Sequence, residues 1–455
     1  MRHYLETAAH NNPAVKAAFH AYEASLQQVA QASAYEDPKL DFGLFLEPMD
    51  MMGGRQLAQF QLMQMFPWFG TRKAARTEMM HMAEMNYEEF REARDNLYLQ
   101  VYTQWYLLCN LQQKKSNTGE NLKLLQQLEQ LALQKFSSGQ TGNSSATNRQ
   151  SSVSSQQAAS GGMNMGGMNM GEQGNANTSG NSMEGMEMGG MKMGGSSPGM
   201  SEILRIHIEM AELESNLESL FSEISAAKAR FNALLNRPAT HEVVIPDTII
   251  PVPFQADPSL LIPQITTRNP MLGMLAEEAQ TYEARTKMER KMSYPMFGIG
   301  VQYMLMGKSK ESTMAMDQGG KDMYMPMFSI SLPVFRKKYK SAIRESELMR
   351  LSSEQKYTNA HNSLQAEMLQ AIHLLQDAGR KITLYRKQAG LARVSHDLAV
   401  KEFVSGKSNL SDIIQVVRQL LDYELKEAEA CADYNTKVAV IQKIASQFTP
   451  EEEEQ

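Results

Sequence analysis

The 455-residue chain contains no run of 18 apolar residues, so no helix long and apolar enough to cross a bilayer is written into it. That absence excludes a polytopic helical membrane protein. It does not exclude a β-barrel, whose strands alternate and escape hydropathy windows. There are two cysteines, Cys109 and Cys431, far apart in helical patterns; they form no CxxC and imply no disulfide framework. Aromatic residues are 7% of the chain, and 45 basic against 51 acidic residues leave a net charge of -6, with no basic footprint for nucleic acid. The nine histidines make no HxH or HExxH pattern, and no Cys/His cluster suits zinc. His3, His10, His20 and His81 are scattered on helical stretches. There is no phosphate-binding glycine loop and no nucleophile–base arrangement, so no enzyme is expected and no cofactor is required. Met1-Arg2-His3-Tyr4 opens directly in helix-like sequence without an apolar signal segment, so an exported form is expected to have shed its signal peptide.

What the chain has in excess is methionine, 35 in all. Ten of these fall in residues 161–200, among Gly, Asn and Ser: Met163, Met165, Met168, Met170, Met183, Met186, Met188, Met191, Met193 and Met200. This tract has too little apolar surface to offset its ordering entropy and is expected to be disordered. A thioether is a soft ligand suited to transient Cu(I) and, by extension, Ag(I). The M-x-M and M-G-G-M spacings bring several sulfurs within reach of one ion. The competing reading is a flexible tether. His207 follows closely enough to assist such a site, or else it is a solvent-facing helix residue.

The chain is an internal repeat. Asn12-Pro13 and Asp37-Pro38 recur as Asn269-Pro270 and Tyr294-Pro295, both offset by 257 residues. In each half a helix leads to an alternating segment, a Gly/Met/polar loop and a second alternating segment that ends at Pro67 or Pro333. A basic cluster follows, Arg72-Lys73 in one half and Arg336-Lys337-Lys338 in the other. Residues 71–118 and 334–378 then lack Pro and Gly and are rich in good helix formers. From Pro67 to Gly139 is 72 residues and from Pro333 to Gly406 is 73, arms of about 100 Å as helix. The first repeat is therefore 1–236, with strands about 39–47 and 57–66, a long helix about 71–136 and a return helix about 201–236. The second is 269–447, with strands about 296–306 and 323–332, a long helix about 336–402 and a return helix about 410–447. Residues 237–268, with six prolines, read as an extended connector, and 448–455 as an acidic tail.

Several segments carry a family resemblance: Met65-Phe66-Pro67-Trp68-Phe69-Gly70-Thr71-Arg72, Leu332-Pro333-Val334-Phe335-Arg336-Lys337, the turn Phe403-Val404-Ser405-Gly406-Lys407-Ser408-Asn409-Leu410-Ser411-Asp412-Ile413-Ile414, and Leu234-Leu235-Asn236-Arg237-Pro238. In this order the chain resembles the TolC family of outer-membrane efflux channels over nearly its whole length, with its methionines suggesting the heavy-metal (copper) efflux branch. The resemblance implies a mainly α fold with two β-hairpins. In such a homotrimer four strands per protomer would build one 12-stranded transmembrane β-barrel, continued by a long α-helical barrel in the periplasm. It implies the outer membrane of a Gram-negative bacterium, a periplasmic adaptor (membrane fusion protein) and an inner-membrane RND-type pump. A chain with four strands cannot close a barrel alone, and open edges are not tolerated in lipid. The alternation Leu40/Phe42/Leu44/Leu46 against Gly43 and Phe45 is imperfect and leaves the lipid-facing side open.

Four residues separate Gly406 from Ser411, whereas sixty-one separate Gly139 from the matching Ser201, so the first turn carries about 57 extra residues. The methionine tract lies inside that insertion (141–200), which the resemblance puts at the periplasmic mouth. Further methionines are read as hairpin-loop residues: Met49, Met51 and Met52 in the first loop, and Met304, Met306, Met314, Met316, Met323, Met325 and Met327 in or beside the second. Met79, Met80, Met82 and Met85 have the spacing of helix packing. In the family, acidic residues past the turn ring a cation-favouring gate. Asp412 matches the first of these, Gln415 stands where a second aspartate is common, and Glu202 is the equivalent in the other half. Phe403 and Ser408 replace a tyrosine and an arginine that lock the closed state in some members. Asp412 also suits a helix N-terminus on dipole grounds alone. Two other readings stay open: a channel for drugs or secreted protein with the loop as spacer, and a periplasmic metal-sequestering coiled coil.

Overall fold

The computed structural model describes residues 1–47, 50–51, 54–141, 198–307, 321–405 and 407–448. The methionine tract from Met163 to Met193 lies outside them, as do Met49, Met52, Met314, Met316 and the acidic tail beyond Phe448. In chain order the elements are α1 (Arg2–Asn11), α2 (Pro13–Ala32), β1 (Lys39–Leu44), β2 (Asp50–Met51), β3 (Gly54–Phe66), α3 (Thr71–Thr141) and α4 (Pro198–Leu234). There follow α5 (Pro258–Arg268), α6 (Pro270–Met292), β4 (Met296–Gly307), β5 (Met323–Ser331), α7 (Arg336–Val404) and α8 (Leu410–Ile444). Among the described residues, no helix is long and apolar enough to cross a membrane.

Two compact units result. One comprises residues 1–118, 217–391 and 420–455, and the other 119–216 and 392–419. In the larger unit each repeat builds its own core. Ala8, Val15, Leu97, Leu108, Phe231 and Leu235 cluster in the first repeat, and Leu272, Met368, Leu375, Ile441 and Ile444 in the second, with Leu261 of the connector among them. Burying a side chain such as Phe231 or Ile441 fully contributes about 1.5–3 kcal/mol.

The Asn-Pro pairs explain how each core is closed. Asn12 caps α2 by accepting from the backbone N–H groups of Ala14 (2.9 Å) and Val15 (3.4 Å), with Pro13 in the first turn where its missing N–H costs nothing. Its amide then donates to the carbonyl of Leu234 at the end of α4, at 2.9 Å. Asn269 repeats both roles: it caps α6 through Met271 and Leu272 and donates to Ile444 at the end of α8, again at 2.9 Å. The two return helices also end alike, with Asn236 (φ 52°) and Ser446 (φ 50°) in the left-handed region. Bonds from Arg237 to Asn232 and from Gln447 to Gln442 then close a Schellman turn in each repeat.

The connector 237–268 is not extended throughout. Its last eleven residues form α5, because Asp257 caps Ser259 and Pro258 starts the helix.

The sheet runs β1-β3-β4-β5, antiparallel throughout, with short β2 pairing β3. β1 stops at Leu44, so Phe45 and Leu46 lie beyond the strand, and the alternation within it is regular. Of the methionines counted with the hairpin loops, Met51 lies in β2, Met304 and Met306 in β4, and Met323, Met325 and Met327 in β5, all within paired strands.

Candidate functional site

Register converts the alternation of each strand into two continuous faces, because residues paired across antiparallel strands project to the same side. One face carries the rungs Leu40–Leu62–Val301–Pro326, Phe42–Phe60–Tyr303–Tyr324 and, across β3, β4 and β5, Phe66–Phe297–Ile330. Its residues stand in the open: Leu62 is 49% exposed, Ile299 53% and Phe328 82%. The opposite face carries Asp41–Gln61–Gln302–Met325, Gly43–Gln59–Met304–Met323 and Gly298–Ser329, and is partly enclosed, with Gln302 9% and Met306 6% exposed. Its polar groups bond to one another. Gln302 donates to Gln59 at 3.3 Å, and Gln56 donates to Gln59 at 3.4 Å and to the Met304 sulfur at 3.5 Å. A bulge between Gln56 and Ala58 keeps this polar set together.

Where strands hand over to helices, aromatic rings and cations collect. Trp68 stacks on Tyr294 (5.1 Å between centroids) and Phe297 (5.8 Å), and the Arg72 guanidinium lies 3.5 Å from the Tyr35 ring centroid. Arg72 also donates to the Ser33 carbonyl at 2.9 Å. Gly70, at φ +80°, makes the corner into α3, where a side chain would be strained, and its carbonyl accepts from Lys291 at 3.2 Å. Phe69, Val334 and Phe335 are exposed beside Lys73, Lys337 and Lys338. Amphipathic rings beside cations are the usual furniture of a membrane–water interface.

The smaller unit holds the helix-to-helix turns. Its core packs Leu125, Leu128, Ile206, Phe403, Leu410 and Ile413. Phe403 is buried in it, and Lys135 ties it to α3 twice: the ammonium donates to the Phe403 carbonyl at 2.6 Å and sits 4.0 Å from the ring centroid. Asp412 and Gln415 are exposed three residues apart, on one face of the first turns of α8. Glu202 is half-buried near the start of α4, and Met200 is exposed two residues before it. His207 pairs with Glu129 on α3, and Arg205 donates to the Ser411 hydroxyl at 2.8 Å. Two features gave no sequence signal: the Lys135 bridge, and a bidentate ion pair between Arg418 and the buried carboxylate of Glu209. Both join residues distant in sequence. Among the described residues, no group of His, Cys, Asp and Glu could hold a metal ion.

Met79, Met82 and Met85 are half-buried on α3, with Met80 exposed, and neighbouring His81 bonds Glu277 at 2.8 Å. Burial pushes the thiol of Cys109 up to about 12 and that of Cys431 to about 11, so both are inert neutral groups.

A four-strand sheet joined to long helices is the fold of solved outer-membrane channels. Residues 261–446 match the outer membrane efflux protein family, a span that covers nearly all of the second repeat. The fold is shared with VceC of Vibrio cholerae, at 12% identity and a TM-score of 0.69 over 98% of this chain and 95% of that one. It is shared also with CusC, at 12% and 0.70 over 98% and 91%, and with the outer-membrane channel OprN, at 13% and 0.68 over 98% and 89%. No curated protein matches this chain in sequence.

Proposed function

We propose that three copies of this chain form the outer-membrane channel of a tripartite efflux system that exports Cu(I) or Ag(I). The sheet is the observation that carries this reading. Its apolar face suits lipid and its Gln/Met/Asp face suits a water-filled lumen, while β1 and β5 stand at the ends of the strand order. In lipid each unpaired edge group costs several kcal/mol, so the sheet must close, and three copies of four long strands give twelve. The collar of Trp68, Tyr294 and Arg72 would sit at the inner boundary of the bilayer, where amphipathic rings and cations are favoured. The channel is passive. An adaptor and an inner-membrane RND-type pump would dock at the helix turns, where Asp412 and Glu202 would favour cations and Phe403 would hold the turn closed by packing. The ten methionines of 161–200 would collect soft metal there by thioether exchange.

Planar-bilayer conductance of the purified trimer tests the channel reading, and a trimer without pores overturns it. Deleting 161–197 tests the metal reading. Loss of copper and silver tolerance with unchanged antibiotic tolerance supports metal export. The opposite pattern makes the protein a drug channel with a spacer loop, and failure of the excised peptide to bind Cu(I) removes the capture role.

A further inference from the structure

Every methionine of β3, β4 and β5 lies on the face that holds Gln56, Gln59, Gln61 and Gln302, and none lies on the apolar face, where Gln64 stands opposite Ile299. Conversely, no Leu, Ile, Val, Phe or Tyr of the paired rungs lies on the methionine side. Methionine used as a general hydrophobe would be found on both. The even positions of β4 define six successive rungs, and each holds a thioether. Met296 begins the series, followed by Met65 across from Gly298 and by Met63 and Met327 on either side of Gly300. Met325 beside Gln302, Met304 opposite Met323, and Met306 beside Gln56 complete it.

From this segregation we infer that the barrel wall itself is a soft-metal conduit, a ladder of thioethers passing Cu(I) or Ag(I) along the lumen. The inference rests on the channel reading above, and it adds a second metal path separate from the 161–200 tract. Rungs are about 6.7 Å apart along a strand, and directly opposed side chains about 5 Å apart. The unbranched, three-bond methionine side chain spans such gaps. The glycines make room for it. A Cβ at Gly298 would lie 2.6 Å from the Met65 sulfur, so that sulfur lies across the glycine toward β5. At Gly300 a Cβ would stand 2.7 Å from the Leu62 carbonyl and 3.4 Å from the Met63 Cβ. The Met304 sulfur accepts from Gln56 at 3.5 Å, so at least this thioether shares the polar network of the partly enclosed face. Neutral thioethers bind one soft ion weakly and exchange it, with no proton to release, and hard Na⁺ or Mg²⁺ finds no carboxylate cage in the rungs.

The test uses the full-length trimer and Ag(I) in chloride-free buffer. Met304→Leu, Met306→Leu, Met323→Leu and Met325→Leu together keep volume and remove four sulfurs. The variant should still insert and conduct K⁺, and each Ag(I) effect is read relative to that protein's own K⁺ current. Ag(I) should lower the wild-type current, and the variant should need at least ten-fold more Ag(I) for the same effect. Oxidation footprinting in detergent gives an independent readout, since bound Ag(I) should shield the ladder methionines from peroxide. The pair Met63→Leu/Met327→Leu serves if the fourfold variant does not assemble. Equal Ag(I) sensitivity in wild type and variants, or no shielding of the ladder, overturns the conduit even where K⁺ conductance stands. An absent K⁺ conductance with shielding intact removes the channel reading and leaves a metal-binding wall.

Discussion

Placing an arginine at two adjacent positions of β3 tests the face assignment directly. Leu62 lies on the apolar side, 49% exposed and paired with Leu40 and Val301, in the middle rung of the sheet. Gln61 projects to the other side, opposite Asp41 and Gln302. An arginine near the bilayer midplane on a lipid-facing strand costs about 2–4 kcal/mol, so in the proposed trimer Leu62→Arg should cost about 6–12 kcal/mol. Gln61→Arg instead gains a cross-strand partner in Asp41, a favourable pair of about 0.2–1 kcal/mol per protomer. The two variants differ by one position yet should differ by several kcal/mol, enough to remove SDS-resistant trimer from one and leave the other near wild type. Folding from urea into lipid vesicles, followed by unheated SDS gels, reads the trimer fraction. A Leu62→Arg trimer as abundant as wild type, or equal loss in both variants, would refute the face assignment and the barrel built on it.

Asn269→Ala should cost about 2–4 kcal/mol, the sum of a lost helix cap and an orphaned Ile444 carbonyl, whereas Asn269→Ser keeps a cap acceptor and loses the amide bond. Faster hydrogen exchange at both the start of α6 and the end of α8 in the alanine variant checks this, and a change confined to α6 counts against the clamp. Burial holds the Glu78 carboxyl above its ordinary range despite the opposing Arg285 charge. Its protonated form is thus favoured by folding, and this contribution is full below the ordinary carboxylate pKa and lost as pH rises through the raised value. Glu78→Gln should therefore raise thermal stability at pH 7.5 and flatten its rise toward pH 5, which thermal scans across that range measure. Cys109 and Cys431, with thiols raised to about 12 and about 11, should resist iodoacetamide at pH 8 in the folded trimer and label in denaturant. Labelling of folded protein at the rate of a free thiol would contradict their burial.

Much of the architecture was legible because it is written twice. The Asn-Pro starts, the Pro67 and Pro333 corners and the equal helical arms are local signals, and local chemistry sets caps, turns and helix length. The clamps from Asn12 to Leu234 and from Asn269 to Ile444 were not legible, since each bond joins residues more than 170 positions apart. The same holds for Lys135 with Phe403 and Arg418 with Glu209, whose partners meet only through helix packing. That Met51 pairs in β2 was not legible, because a Met/Gly/polar composition reads as irregular and only a pairing partner holds a strand through it.

The sequence alone determined the repeat, the helix–hairpin–helix order, the one-sided methionine-rich insertion and the absence of an apolar run long enough for a membrane-spanning helix. Which way each strand side chain points was decided by tertiary structure. A period of two separates odd from even positions within one strand, but register and the Gln56/Ala58 bulge set which parities line up across four strands. That alignment gathers the hydrocarbon side chains on one face and the thioethers on the other.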